Sequence, residues 1–184
     1  MTTRSHVHRL AVAVAAATAL VTISTGAVYA GTTSFNDPAE TANPEDIVRV
    51  SVTHAPRILT VRVKQQSMQQ GGTDLPIHAV IAISTGPRYD GPEWLIEQPF
   101  YTEGGPNLRR TQGWGGPKGP YRDCIAGLRW SATKDVIRFS VPRRCIGRPS
   151  KVRVNVKYRF FEPVGTRTVD HAPGRRVLGP ATSI

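Results

Sequence analysis

The residues of this chain that could do chemistry are few, and their spacing restricts what they could do. Three histidines lie beyond residue 30: His54, His78 and His171. Asp170 precedes His171 directly, but neighbours on an extended chain point to opposite sides. Neither a G-x-S-x-G elbow nor an H-E-x-x-H helix motif accompanies them. Asp170 therefore reads as a turn former that bonds nearby backbone amides, and His171 as a packed turn residue. His54 reads as a strand-end residue bonded to a turn. Glycosidases need two carboxylates across the scissile bond, and Asp90, Glu93 and Glu97 are close in sequence. Asp37, Glu40, Asn43, Glu45 and Asp46 gather five oxygen side chains within ten residues, a supply that suits calcium. The spacing is not that of an EF-hand, so Asp37, Glu45 and Asp46 are the candidate metal ligands and structural calcium the candidate ion. Tyr89, Trp94, Tyr101, Trp114 and Tyr121 stand among glycines. Flat rings there could stack on a sugar while Asp90 and Glu93 fix its orientation. The competing reading has the rings anchor their own loop to the core.

These residues must be carried by a small domain. Arg4 and Arg9, the apolar run Leu10–Ile23 and small residues up to Ala30 have the pattern of a secretory signal peptide over 1–30, too short and too rich in Ala and Thr for a membrane span. No cysteine follows the expected cut site and no apolar tail closes the chain, so neither a lipid anchor nor an integral membrane contact is expected. The expected mature chain is extracellular. Taking Arg4 and Arg9 from the 24 Lys and Arg leaves 22 against 13 Asp and Glu, a formal charge of +9. Such a surplus attracts anionic partners, or serves solubility alone. Export argues against nucleic acid as that partner. Both cysteines, Cys124 and Cys145, fall in the exported part and are expected to pair, contributing roughly 3 kcal/mol.

Alternation sets the fold class. Val48, Val50 and Val52 alternate with Arg49, Ser51 and Thr53; Leu59, Val61 and Val63 alternate with Thr60, Arg62 and Lys64. These are half-buried strands forming a hairpin. Residues 76–84 are apolar on both faces, as in a central strand. Between Gly86 and Pro120 eight Gly and six Pro interrupt the pattern. Only 94–96 and 99–102 read there as short strands, the rest as long loop. Strands resume at 128–131, 137–141 and 151–160, with one more expected near Val177. Lys151, Arg153, Lys157 and Arg159 face out with Arg49, Arg62, Lys64, Arg129 and Arg138. If these strands shared a sheet, their charges would form one stripe. The expectation is an all-β antiparallel sandwich of about seven to nine strands, immunoglobulin or jelly-roll-like, with one disulfide. A closed barrel is the alternative. Residues 31–45 read as a flexible lead-in and 46–184 as the single domain.

Several phrases resemble a group of secreted actinobacterial proteins: Glu45-Asp46-Ile47, Thr53-His54, Gly91-Pro92-Glu93, the run from Val141 to Pro149, and Asp170-His171-Ala172-Pro173-Gly174. The layout is similar to ligand-binding modules of the DOMON and family 9 carbohydrate-binding type. That similarity implies a sandwich, a carbohydrate-type ligand and, in some modules, structural calcium. The residues themselves leave three readings open. The first is a non-enzymatic binding protein for an anionic cell-wall polymer or polysaccharide. The second is an extracellular glycan- or ester-directed hydrolase drawing on Asp90, Glu93, Glu97 or Asp170. The third is a structural or inhibitory partner of another secreted protein.

Overall fold

The computed structural model describes residues 30–38, 46–68, 76–86, 91–100, 103–124, 126–161 and 167–184. Twelve strands run through them: β1 (Gly31–Asn36), β2 (Ile47–His54), β3 (Ile58–Gln65), β4 (His78–Ser84), β5 (Trp94–Pro99), β6 (Asn107–Thr111), β7 (Lys118–Arg122), β8 (Gly127–Ser131), β9 (Val136–Pro142), β10 (Lys151–Phe161), β11 (Arg167–Ala172) and β12 (Thr182–Ser183). All pairings are antiparallel. One sheet has the order β1-β2-β3-β9-β8. The other has the order β11-β10-β4-β5-β6-β7, with β12 added beside β10.

The interior follows from the alternation. Val50 and Val52, then Leu59, Val61 and Val63, then Ile137, Phe139 and Val141 project from the five-stranded sheet. Ile81, Ile83, Ile96, Leu108, Val152, Val154, Val156, Tyr158 and Phe160 meet them from the other sheet. Each fully buried aliphatic side chain contributes about 1.5–3 kcal/mol. The Cys124–Cys145 disulfide closes with a Cα–Cα distance of 6.1 Å. It joins the chain leaving β7 to the 3-10 turn Arg143–Ile146 that follows β9, so it links an edge of one sheet to the other sheet. Arg143 is buried beside it and donates to the carbonyls of Pro56, at 2.8 Å, and Pro149.

Five expectations are corrected. Gly31–Asn36 is an edge strand rather than lead-in: Thr33 and Phe35 are half-buried while Thr32, Ser34 and Asn36 stay exposed. A Thr-rich alternating run suits a pleated surface. The Gly/Pro-rich segment contributes β6 and β7 beyond the expected strand at 94–96, which runs on to Pro99 as β5; all of its glycines but Gly119 fall in the connections, and the stretches between them pair across the sheet. Asp170 and His171 lie in β11 rather than in a turn, and Val177 lies in a loop, the last strands being β11 and β12. The basic residues do not form one stripe. Arg49, Arg62, Lys64, Arg129 and Arg138 belong to the five-stranded sheet and Lys151, Arg153, Lys157 and Arg159 to the other. The expected signal peptide, apart from Ala30, lies outside the described residues.

Candidate functional site

The outward face of the larger sheet is a groove of about 440 Å³, within the range of small-ligand sites, ~300–1,000 Å³. Its floor comes from register. Asn155, Ala82, Leu95, Arg109 and Tyr121 oppose one another in turn across β10, β4, β5, β6 and β7. The next row runs His171, Lys157, Val80, Glu97, and the next sets Arg159 opposite His78. The small apolar residues on the second face of β4, which suggested a covered strand, thus make an open floor of Val80 and Ala82 with Leu95 beside them. Cations rise on both sides: Lys157, Arg159, Arg175 and Arg176 on one, Arg109 and Lys118 on the other.

Two devices shape the rim. Asn155 donates from its side-chain nitrogen to the carbonyls of Gly174 and Val177, both at 2.8 Å. This holds down the loop carrying Arg175 and Arg176. Trp114 closes the other end, next to Pro92, Gly113 and Gly115. Gly91 has φ +123°, and a Cβ there would stand 2.7 Å from Trp114 Cδ1 and 2.8 Å from Trp114 N. Only glycine lets the chain pass so close beneath the ring.

Among the described residues, Glu97 is the only carboxylate lining the groove. It is engaged by Arg109 in an ion pair, by Lys118 Nζ at 3.1 Å and by the Tyr121 hydroxyl at 3.3 Å. Burial pushes the Glu97 carboxyl up, but hydrogen bonds and charge from Arg109 and Lys118 outweigh it and hold the group below its ordinary range. Arg109 also lies 5.0 Å from the centre of the Tyr121 ring, so Glu97 fixes one guanidinium, one ammonium and one aromatic ring together. Lys157, Arg159, Arg175 and Arg176 have no ion pair among the described residues. Their field shows in the titrating groups. Burial, then Lys157, Arg175 and Arg159, lower the His171 imidazole to about 4. Burial and Arg159 lower His78 although Glu97 opposes them. Burial and the neighbouring arginines also lower Lys157. Both imidazoles are therefore neutral at physiological pH, and a negative ligand would relieve the repulsion among the cations.

Of the residues singled out by sequence, Trp114, Tyr121, Glu97, His78 and His171 meet in this groove. Trp94 does not: it is 6% exposed within the core, its ring flanked by the Arg110 and Arg122 guanidinium groups, each 5.3 Å from the ring centre. Glu93 is buried and accepts from the Thr85 backbone N–H at 2.7 Å, bracing the β4–β5 connection outside the groove. Tyr89, Asp90 and Tyr101 lie outside the described residues. Asp170 faces the interior, where it accepts from Ile47 N–H at 2.7 Å and pairs with Asp46. Asp37 and Asp46 are both buried and Glu45 lies outside the described residues. Among the described residues no group of three His, Cys, Asp or Glu side chains surrounds a cation position. No helix there is long and apolar enough to cross a membrane.

Sequence reasoning did not bring Lys157, Arg159, His171, Arg175 and Arg176 to the aromatic loop. The signal available was the pairing of two-sided β4 with the basic face of β10, which alternation alone does not reveal. No protein-family model, no curated protein and no solved structure matches this chain.

Proposed function

We propose that the protein is a secreted, non-enzymatic binding module that takes an acidic polysaccharide into the groove of the larger sheet. One observation carries the reading: among the described residues six cations and one carboxylate line the groove, and that carboxylate is already engaged by Arg109 and Lys118. Lys157, Arg159, Arg175 and Arg176 are left to meet sugar carboxylates, with guanidinium forks suited to bidentate contact. Trp114 and Tyr121 offer rings for the sugar face, and Val80, Ala82 and Leu95 offer an apolar floor.

Calorimetric titration with oligogalacturonate, beside a neutral glucan of equal length, tests the reading. The expected result is binding of the acidic chain only, weakening as salt rises, with the groove's contribution lost in Trp114→Ala with Lys157→Ser. Equal affinity for the neutral glucan, or no binding of the acidic chain at low salt, refutes it.

A further inference from the structure

The outer face of the five-stranded sheet carries a second array that the groove does not use. Arg129 opposes Arg138, and Arg138 opposes Arg62, on the adjacent strands β8, β9 and β3. Three guanidinium side chains thus rise in a row across the strands, one strand spacing apart, about 4.8 Å. All three are exposed, and none has an ion pair among the described residues. The row continues through Ser51 and Ser34 on β2 and β1. Arg49 lies against it, donating to the Ser34 hydroxyl at 2.8 Å. On the other side Thr60, Thr53 and Thr32 are aligned, with the hydroxyls of Thr32 and Thr53 3.1 Å apart. Among the described residues Lys64 is the one cation of this face in an ion pair, with Asp135 at 3.6 Å.

Such an array costs stability in the free protein, because like charges directly opposite across strands repel. Solubility does not require it, since interspersed signs serve as well. The arrangement fits an extended ligand with a negative group at each repeat, lying across the strands, its charges taken by the arginines and its hydroxyls by the Ser and Thr rows. The sheet behind this face is the far layer of the sandwich, so the array and the groove open in opposite directions.

We infer that Arg62, Arg129 and Arg138 form a second polyanion-binding face, and that one molecule bridges two chains of acidic polysaccharide, one on each sheet. The bridging rests on the groove reading; the arginine array stands on its own register and charge. The test mixes the full protein with long-chain polygalacturonate at increasing ratios and follows light scattering, with calorimetry on short oligogalacturonate in parallel. Wild type is expected to scatter maximally at intermediate ratio and to clear in excess protein and in high salt. Arg62→Ser/Arg129→Ser/Arg138→Ser should lose the scattering, keep oligogalacturonate binding in the groove, and melt no lower than wild type because the repulsion is gone. Arg57→Ser/Arg144→Ser/Arg148→Ser removes equal charge from exposed loop positions and should scatter like wild type. If the array variant scatters like wild type, or the loop variant loses scattering equally, the array is not a site. If Trp114→Ala/Lys157→Ser still binds the oligomer while the array variant does not, the groove reading fails and the array alone survives.

Discussion

Replacing Asp170 by Asn should stabilise the protein at neutral pH and leave it unchanged in acid. Asp170 faces the interior from β11, 7% exposed. Burial pushes its carboxyl up to about 6; the Ile47 N–H opposes this, and the charge and hydrogen bond of Asp46 add to it. The ordinary value is 3.8. Below pH 3.8 the group is protonated in both states and the contribution of the shared proton is fully present. Between 3.8 and 6 the unfolded chain releases its proton first, so the folded state binds more protons and stability falls as pH rises. Above 6 the loss is complete. About two pKa units at 1.36 kcal/mol each give an upper bound of about 3 kcal/mol. Sharing with Asp46 and screening at the sandwich rim reduce this to about 1–2 kcal/mol. Asn accepts from Ile47 through its carbonyl and donates to Asp46 through its amide, as the protonated acid does. Thermal melts at pH 3 and pH 7.5 should therefore give equal Tm for the two proteins in acid and a rise of about 2–8 °C for Asp170→Asn at pH 7.5. A variant that loses the same Tm at both values refutes a shared proton. A calcium-induced rise in the wild-type Tm that the variant lacks would replace the proton with a cation.

Three further outcomes are expected. Affinity for oligogalacturonate should stay flat from pH 8 to pH 6, because burial and the neighbouring cations already lower His171 to about 4 and lower His78; a calorimetric midpoint near 6.5 would show an ordinary imidazole in the contact. Gly91→Ala should cost about 1–3 kcal/mol, since φ +123° and the 2.7 Å approach to Trp114 admit no Cβ without strain, and it should weaken oligomer binding by displacing the ring; urea titration and calorimetry read the two effects. Cys124→Ser/Cys145→Ser should lower stability by about 3 kcal/mol with an unchanged far-UV spectrum, because the cross-link restricts mainly the unfolded chain.

The strands that alternate cleanly were legible because their side chains record the two environments directly. Val152, Val154, Val156, Tyr158 and Phe160 enter the core and Lys151 and Arg153 face solvent as the sequence pattern divides them, while Asn155 is buried and Lys157 and Arg159 are half-buried on the outer face, under the groove. Between Trp94 and Arg122 only the start of β5 was legible; β6 and β7 were not, and the reason holds for all three. They are five or six residues long, with Pro99 and Pro120 within them, and their stability comes from pairing across the sheet rather than from local propensity. The site failed to emerge for the same cause. Trp114 and Tyr121 were visible as ligand-type residues, but Lys157 and His171 join them only through the β11-β10-β4-β5 order, which is set by long-range pairing. Trp94 misled because a buried tryptophan capped by Arg110 and Arg122 has the same sequence surroundings as a ligand-facing one.

The placement of the acids explains why the surface is more basic than the formal charge implies. Of the eight described acids, Asp37, Asp46, Glu93, Glu97 and Asp170 are buried. Glu93 is taken up by the Thr85 amide, Glu97 by Arg109 and Lys118, and Asp170 by Ile47 and Asp46. Asp135 is spent on Lys64 and on the Met68 amide. Only Glu103 and Asp123 of the eight stand exposed. Of the described arginines and lysines only Arg143 is buried in the same way; the others reach water on long cationic side chains. Folding therefore separates the charges by sign, with carboxylates consumed as braces within the sandwich and cations displayed on both outer sheets. Adding acids to the loops would lower the net charge without touching either face. Such a variant should lose long-range attraction to polyanions, read as a slower association rate, while the complex, once formed, dissociates as before.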